Sequence, residues 1–128
     1  MELPPLTKGP IMIRQLAMFA AATAEFVDIH YDKDFAQSVG LPDVIIQGWY
    51  KTATIAQMLK GWAGDGDALK RLTVQYRGMD VAGNTLTAGG KVLRVSREGN
   101  GKQVECEVWV DNQLGQRTAT GTAILVLS

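Results

Sequence analysis

A chain of 128 residues with one histidine has one imidazole able to gain and lose a proton near neutral pH. Here that imidazole, His30, stands among acids in the segment Ala24-Glu25-Phe26-Val27-Asp28-Ile29-His30-Tyr31-Asp32. Glu25 precedes it by five positions, Asp28 by two, and Asp32 follows by two. A carboxylate and an imidazole held together can position a water molecule and move its protons. If the chain is an enzyme, this segment is where its chemistry is expected.

The segment needs elements to hold it. Ile13 to Ala22 carries Leu16, Phe19 and Ala20 at helical spacing, so a helix is expected to lead into Glu25. Beyond His30, Lys33 to Val39 reads as one or two helical turns ending at Gly40, with Asp32 as their cap. An extended apolar stretch, Val44-Ile45-Ile46, then runs into Gln47-Gly48. Gly48 to Trp62 is the strongest helical pattern of the chain. Ile55, Met58, Leu59 and Trp62 form one stripe, with Trp49, Ala53 and Ala56 extending it, so this helix is expected to be largely buried.

The second half alternates. Leu72, Val74 and Tyr76 share a face of one run. Leu86, Val92, Leu93 and Val95 belong to a second, in which Gly89-Gly90 is expected to mark a bulge or bend. Val104, Cys106, Val108 and Val110 share a face of a third, and Arg117 to Leu127 makes a fourth. Gly- and Asn-rich turns at 81–84, 98–101 and 112–115 fit hairpins. Residues 1–62 read as helices and loops, residues 69–127 as strands. The expected fold is α+β: one antiparallel sheet wrapped round one long helix, the hot-dog arrangement. Such a sheet leaves an open edge, which favours pairing with a second chain.

Composition narrows the functions. The length fits a single domain over residues 1–128, and 46% hydrophobic content supplies one core. Thirteen basic residues balance thirteen acidic ones, with no basic stripe for nucleic acid. The single cysteine, Cys106, has no partner for an internal disulfide and reads as a buried strand residue. With one His and one Cys, a zinc site would depend on carboxylates, so no metal is expected. The first residues, Met1-Glu2-Leu3-Pro4-Pro5, lack the basic and apolar regions of a signal peptide, and the apolar stretch near Leu16 to Ala24 is too short to span a bilayer. A cytoplasmic protein is the expectation.

The stretch from Phe19 through Tyr50 resembles the MaoC-like family of hot-dog hydratases and dehydratases, which includes the R-specific enoyl-CoA hydratases. That family carries a Gly-Asp-x-Asn-Pro-x-His-x-Asp segment after a helix, then a short helix, then a His-Gly pair opening the central helix. The same slots here read Ala24 to Asp32, Phe35-Ala36 with Gly40, and Ile45-Ile46-Gln47-Gly48. Gly83-Asn84-Thr85-Leu86 and Gly90-Lys91-Val92 resemble the family's Gly-Asp-Thr-Leu hairpin and the strand after it. Within the family, the form with Asp at the proline slot is similar to the small subunit of heteromeric steroid side-chain enoyl-CoA hydratases. The departures are Glu25 for the catalytic Asp, Val27 for the Asn, Asp28 for the Pro and Gln47 for the second His. Glu25 keeps the carboxylate on a longer arm, and a misplacement of about 1 Å can cost about 100-fold in rate.

The resemblance implies a lyase of lipid metabolism that hydrates a trans-2-enoyl-CoA to the 3-hydroxyacyl-CoA, or catalyses the reverse dehydration. Glu25 would be the base, His30 would share its water, and the amide of Gly48 would face the developing oxyanion. No cofactor is implied; CoA or phosphopantetheine would be the substrate's own handle. The implied partner is a second hot-dog chain, as homodimer or heteromer. Bland roles remain open: His30 packed in a loop, Glu25 exposed past a helix end, Gly48 a simple helix start, Asp28 a turn former instead of an alternative base. Two other functions also remain open. One is a hot-dog thioesterase, although Gly48 to Trp62 holds no acid. The other is a non-catalytic acyl-CoA-binding subunit.

Overall fold

The alternating run Val104, Cys106, Val108 and Val110 becomes the spine of the molecule. In the computed structural model these side chains are buried on strand β4 (Gly101–Asn112), facing the core. The structure describes residues 1–24, 27–64 and 69–127, and of Glu98 the backbone only. Strands β3 (Leu86–Glu98) and β5 (Arg117–Leu127) flank β4 through hairpins. Strand β2 (Leu69–Tyr76) pairs with β5 and forms one edge. A short strand, β1 (Leu6–Lys8), pairs with β3 and forms the other. The order among the described residues is β1-β3-β4-β5-β2, antiparallel throughout.

Helix α1 (Ile13–Thr23) precedes the His30 segment, and α2 (Lys33–Ser38) follows it. Helix α3 (Gly48–Ala63) touches all five strands, so the sheet wraps it as the hot-dog expectation requires. No helix among the described residues is long and apolar enough to cross a membrane.

Four sequence expectations need correction. The first residues are not all loop and helix. The amide of Leu3 donates to the Gly90 carbonyl (2.8 Å), and the Val92 amide to the Met1 carbonyl (2.9 Å). Pro4 and Pro5 hide this pattern in the sequence, but an edge strand tolerates proline. Second, Gly89 and Gly90 do not mark a bulge. They stay in register with Trp109 and Val108, and the register slips instead between Val92 and Arg94. The glycines are there for space: a Cβ on Gly89 would lie 2.5 Å from Trp109 Nε1, and one on Gly90 would lie 2.9 Å from Leu3 Cδ1.

Third, the buried stripe of α3 runs on toward the helix start through polar residues and leaves out Ala53, which was expected to extend it. Ile55, Met58 and Leu59 are buried, but so are Lys51 and Thr54, while Ala53 is exposed. Fourth, Trp49 is 63% exposed and does not join the core. The burial of Lys51 has a physical cause in the partners that its ammonium finds.

Candidate active site

Three pieces of chain converge on the start of α3. The first is the His30 segment. Helix α1 is capped by Ala24, whose φ of 57° turns the backbone sharply. Glu25, the expected base, lies outside the described residues. A 3-10 turn over Asp28–His30 follows. The Asp28 carbonyl accepts from the amides of Tyr31 (3.2 Å) and Asp32 (2.9 Å). The Asp28 side chain is exposed and accepts from the Tyr31 hydroxyl (2.8 Å), so in this geometry it serves the turn. Asp32 caps α2 by accepting from the Phe35 amide (3.0 Å).

His30 is half-buried, and its Nδ1 lies 2.8 Å from the Ile45 carbonyl oxygen. A carbonyl can only accept, so Nδ1 carries the hydrogen. That leaves Nε2 as the ring nitrogen available to exchange a proton. Ile45 returns a second bond, its amide donating to the Ile29 carbonyl (2.8 Å).

The second piece is the segment 44–48. Its apolar side chains Val44, Ile45 and Ile46 are buried, and its backbone zips onto residues 80–82. Ile45 bridges to Val81, the Ile46 amide donates to the Asp80 carbonyl (2.8 Å), and the Ala82 amide to the Val44 carbonyl (2.9 Å). Gln47 is the N-cap residue of α3 and is 2% exposed. Its Nε2 donates to the Leu16 carbonyl on α1 (2.9 Å), while its Oε1 has no partner among the described residues. Gly48 and Trp49 precede the first helical hydrogen bond, which runs to the Gln47 carbonyl from Tyr50 (3.1 Å) and Lys51 (3.4 Å). Their amides therefore have no upstream helical partner and stand at the positive end of the helix dipole.

The third piece is the end of β2. The Tyr76 ring lies over Gly48: a Cβ there would sit 2.8 Å from Cε2 and Cζ. The Tyr76 hydroxyl hydrogen-bonds Thr52 Oγ1 at 2.8 Å. Trp49, Thr52, Leu72, Val74 and Tyr76 line an open, mostly apolar groove beside the helix start.

A buried polar cluster lies behind this surface. Lys51 Nζ makes a 2.9 Å ion pair with Asp80 Oδ2, and the two side chains are 2% and 0% exposed. Burial pushes the Asp80 carboxyl up, but hydrogen bonds from Thr118, Lys51 and Asn112, with the Lys51 charge, outweigh it and hold the group below its ordinary value. Sequence reasoning missed this pair. One signal was readable: Lys51 stands four residues before Ile55 and seven before Met58, on the buried stripe. Asp80, in a polar loop, carried none. Among the described residues, no three of His, Cys, Asp and Glu cluster as a metal site would require.

Three comparisons place this geometry. Residues 4–114 match the family described as MaoC like domain. The chain is 29% identical over 77 residues to the 3-oxo-4,17-pregnadiene-20-carboxyl-CoA hydratase beta subunit of Mycobacterium tuberculosis. That match spans 60% of this chain and 60% of the relative. A chain of the ChsH1-ChsH2 complex from Mycobacterium tuberculosis superposes with a TM-score of 0.87 at 25% identity, covering 100% of this chain and 96% of that one. The (R)-hydratase from A. caviae involved in PHA biosynthesis superposes with a TM-score of 0.89 at 20% identity, covering 100% and 95%. The last likeness speaks to the fold alone.

Proposed function

Because the chain belongs to the family of MaoC like domains, we propose that it adds water to a trans-2-enoyl thioester, or removes water from the 3-hydroxyacyl product. Glu25 takes a proton from the water as its oxygen bonds to the β-carbon. The electron pair of the C=C bond moves toward the thioester, and the enolate oxygen is held by the Gly48 amide. The α-carbon then takes a proton relayed through the Glu25–His30 pair, so no net proton is gained or lost. No metal or redox group enters this reading; CoA or phosphopantetheine is the substrate's handle.

The observation that carries it is the anchored imidazole. His30 gives its Nδ1 hydrogen to the carbonyl of Ile45, and Ile45 stands three residues before Gly48, whose amide has no upstream helical partner. A histidine with only a packing role does not need its ring tied to the backbone that leads into the helix start.

The active unit in this reading includes a second hot-dog chain. One relative is named as a beta subunit, and one structural neighbour is a two-component complex. The test follows loss of enoyl-thioester absorbance with a short and a bulky trans-2-enoyl-CoA, using the purified chain with and without such a partner. Turnover abolished by His30→Ala supports hydration. Turnover that survives this change moves the chemistry elsewhere, and no turnover with either substrate leaves an acyl-CoA-binding subunit.

A further inference from the structure

Asp80 holds the chain on both sides of Gly48. Its backbone carbonyl accepts from the amide of Ile46, two residues before Gly48 (2.8 Å). Its carboxylate accepts from Nζ of Lys51, three residues after Gly48 (2.9 Å). The lysine is fully committed, since its other donors go to the Gly78 carbonyl (3.0 Å) and Thr118 Oγ1 (3.2 Å). The carboxylate is equally committed. Oδ1 accepts from Asn84 (3.0 Å) and Asn112 (2.9 Å), and Oδ2 from the Thr118 hydroxyl (2.5 Å).

This is a costly construction for stability alone. Burying two charges loses much of what their attraction returns, and apolar residues of similar volume often do as well or better. A cation in the first turn of a helix also opposes the dipole. An ion pair at this place, satisfied at every atom, yields fixed geometry.

We propose that Lys51 and Asp80 are a pair of positioning residues that fix the Gly48 amide for the oxyanion. The inference rests on the hydratase reading for its chemistry, but not for its mechanics. Neither side chain touches substrate. They act by clamping residues 46–51 to the loop after β2, so that the amide cannot drift when charge develops on the thioester oxygen. A drift of about 1 Å is enough to cost about 100-fold.

The test removes both charges and keeps the volume, with K51M/D80N. This avoids the unpaired buried lysine that D80N alone would leave. The substituted amide can still bond Asn84, Asn112 and Thr118. Two readouts are taken on the folded variant, in complex with its partner if activity requires one. The first is the split between kcat and KM. The expected result is kcat lowered about 10- to 100-fold with KM changed less than about 3-fold. The second is amide hydrogen exchange. The amides of Ile46, Lys51 and Ala82 are expected to exchange at least about 10-fold faster, while Ile55 to Leu59 keep their wild-type rates.

A folded double variant with wild-type kcat overturns the proposal, and so does unchanged exchange at the first turn. If the wild-type chain shows no His30-dependent turnover, the hydratase reading fails by itself. The exchange comparison then still decides whether the pair fixes the Gly48 turn.

Discussion

His30 and Ile45 are joined twice, once by the ring and once by the backbone beside it. The imidazole Nδ1 meets the Ile45 carbonyl at 2.8 Å, and the Ile45 amide meets the Ile29 carbonyl at 2.8 Å. The loop carrying the imidazole is thereby stitched to the lead-in of α3. Gly48 lies only three residues further on, so the ring and the helix amide share one short, buried support.

Two substitutions separate the anchor from the proton chemistry. His30→Asn places an amide nitrogen where Nδ1 stands, so it can still donate to Ile45, but it offers nothing at the Nε2 position. It is expected to keep near-native melting while lowering hydration about 100- to 10,000-fold. His30→Ala loses both and is expected to add some destabilisation, about 1 kcal/mol for a lost hydrogen bond. Thermal melts beside enoyl-CoA turnover read the two effects. Full activity in His30→Asn would remove the imidazole from the reaction.

The contact between Gly48 and Tyr76 is testable by a double-mutant cycle. A Cβ on Gly48 would lie 2.8 Å from the Tyr76 ring, yet that ring is half-exposed and can swing away. Gly48→Ala is therefore expected to fold but to lose about 1–3 kcal/mol. In a Tyr76→Ala background most of that cost is expected to vanish, a coupling of at least about 0.5 kcal/mol in denaturant melts. Additive losses would show that the alanine is resisted by something other than the ring.

The sequence made the helices and hairpins legible for a physical reason. The 3.6 period of Leu16 and Ala20, the twofold period of Val104 to Val110, and the Gly-Asn turns are local signals, and each element formed where they stood. What stayed hidden depended on contacts distant in sequence. Lys51 stands on the apolar stripe, but its charge has no readable partner until Asp80 and Thr118, 29 and 67 positions away, are brought against it. Trp49 reads as core because its type is apolar, but it lies off the stripe that Lys51 and Thr54 share with Ile55 and Met58. In the site, His30 and Gly48 were readable as types at a spacing. The hydrogen bond that joins their supports was not, because a carbonyl has no sequence signature. Glu25 lies outside the described residues, so the role proposed for it rests on its place in the sequence, five positions before His30, and on the family resemblance.

Asp80 gives the fold a defined acid sensitivity. Its carboxyl is held below the ordinary value of 3.8 in the folded chain. A depressed carboxyl contributes stability that is present above the unfolded value and is lost as pH falls through the folded one. Asp80→Asn lacks this titration and leaves Lys51 buried beside a neutral partner. At about pH 7 it is expected to be about 3–5 kcal/mol less stable than wild type. Below about pH 4 the gap is expected to narrow, as protonation removes the wild-type advantage. Denaturant melts across that range measure it, and a gap that stays constant into acid would contradict the assignment.

Gly89 and Gly90 are neighbours on β3 but face opposite sides of the sheet, so their alanine variants should differ in kind. On the outer face, Gly89 lies under the indole of Trp109, which is also covered by the Arg117 guanidinium at 4.3 Å from the ring. Gly89→Ala is expected to lift the indole, shift tryptophan emission to the red and cost about 1–3 kcal/mol. On the inner face, a Cβ on Gly90 would lie 2.9 Å from Leu3 Cδ1 and 3.2 Å from the Glu107 carbonyl oxygen. The strand cannot yield easily there, because Glu107 lies in the middle of the β3–β4 ladder. Leu3 must move instead, and with it the backbone bond from its amide to the Gly90 carbonyl. Gly90→Ala is therefore expected to free the first eight residues to protease and to fast hydrogen exchange, which Gly89→Ala should not do. Equal protection of that segment in both variants would mean that Leu3 does not hold the N-terminal strand in place.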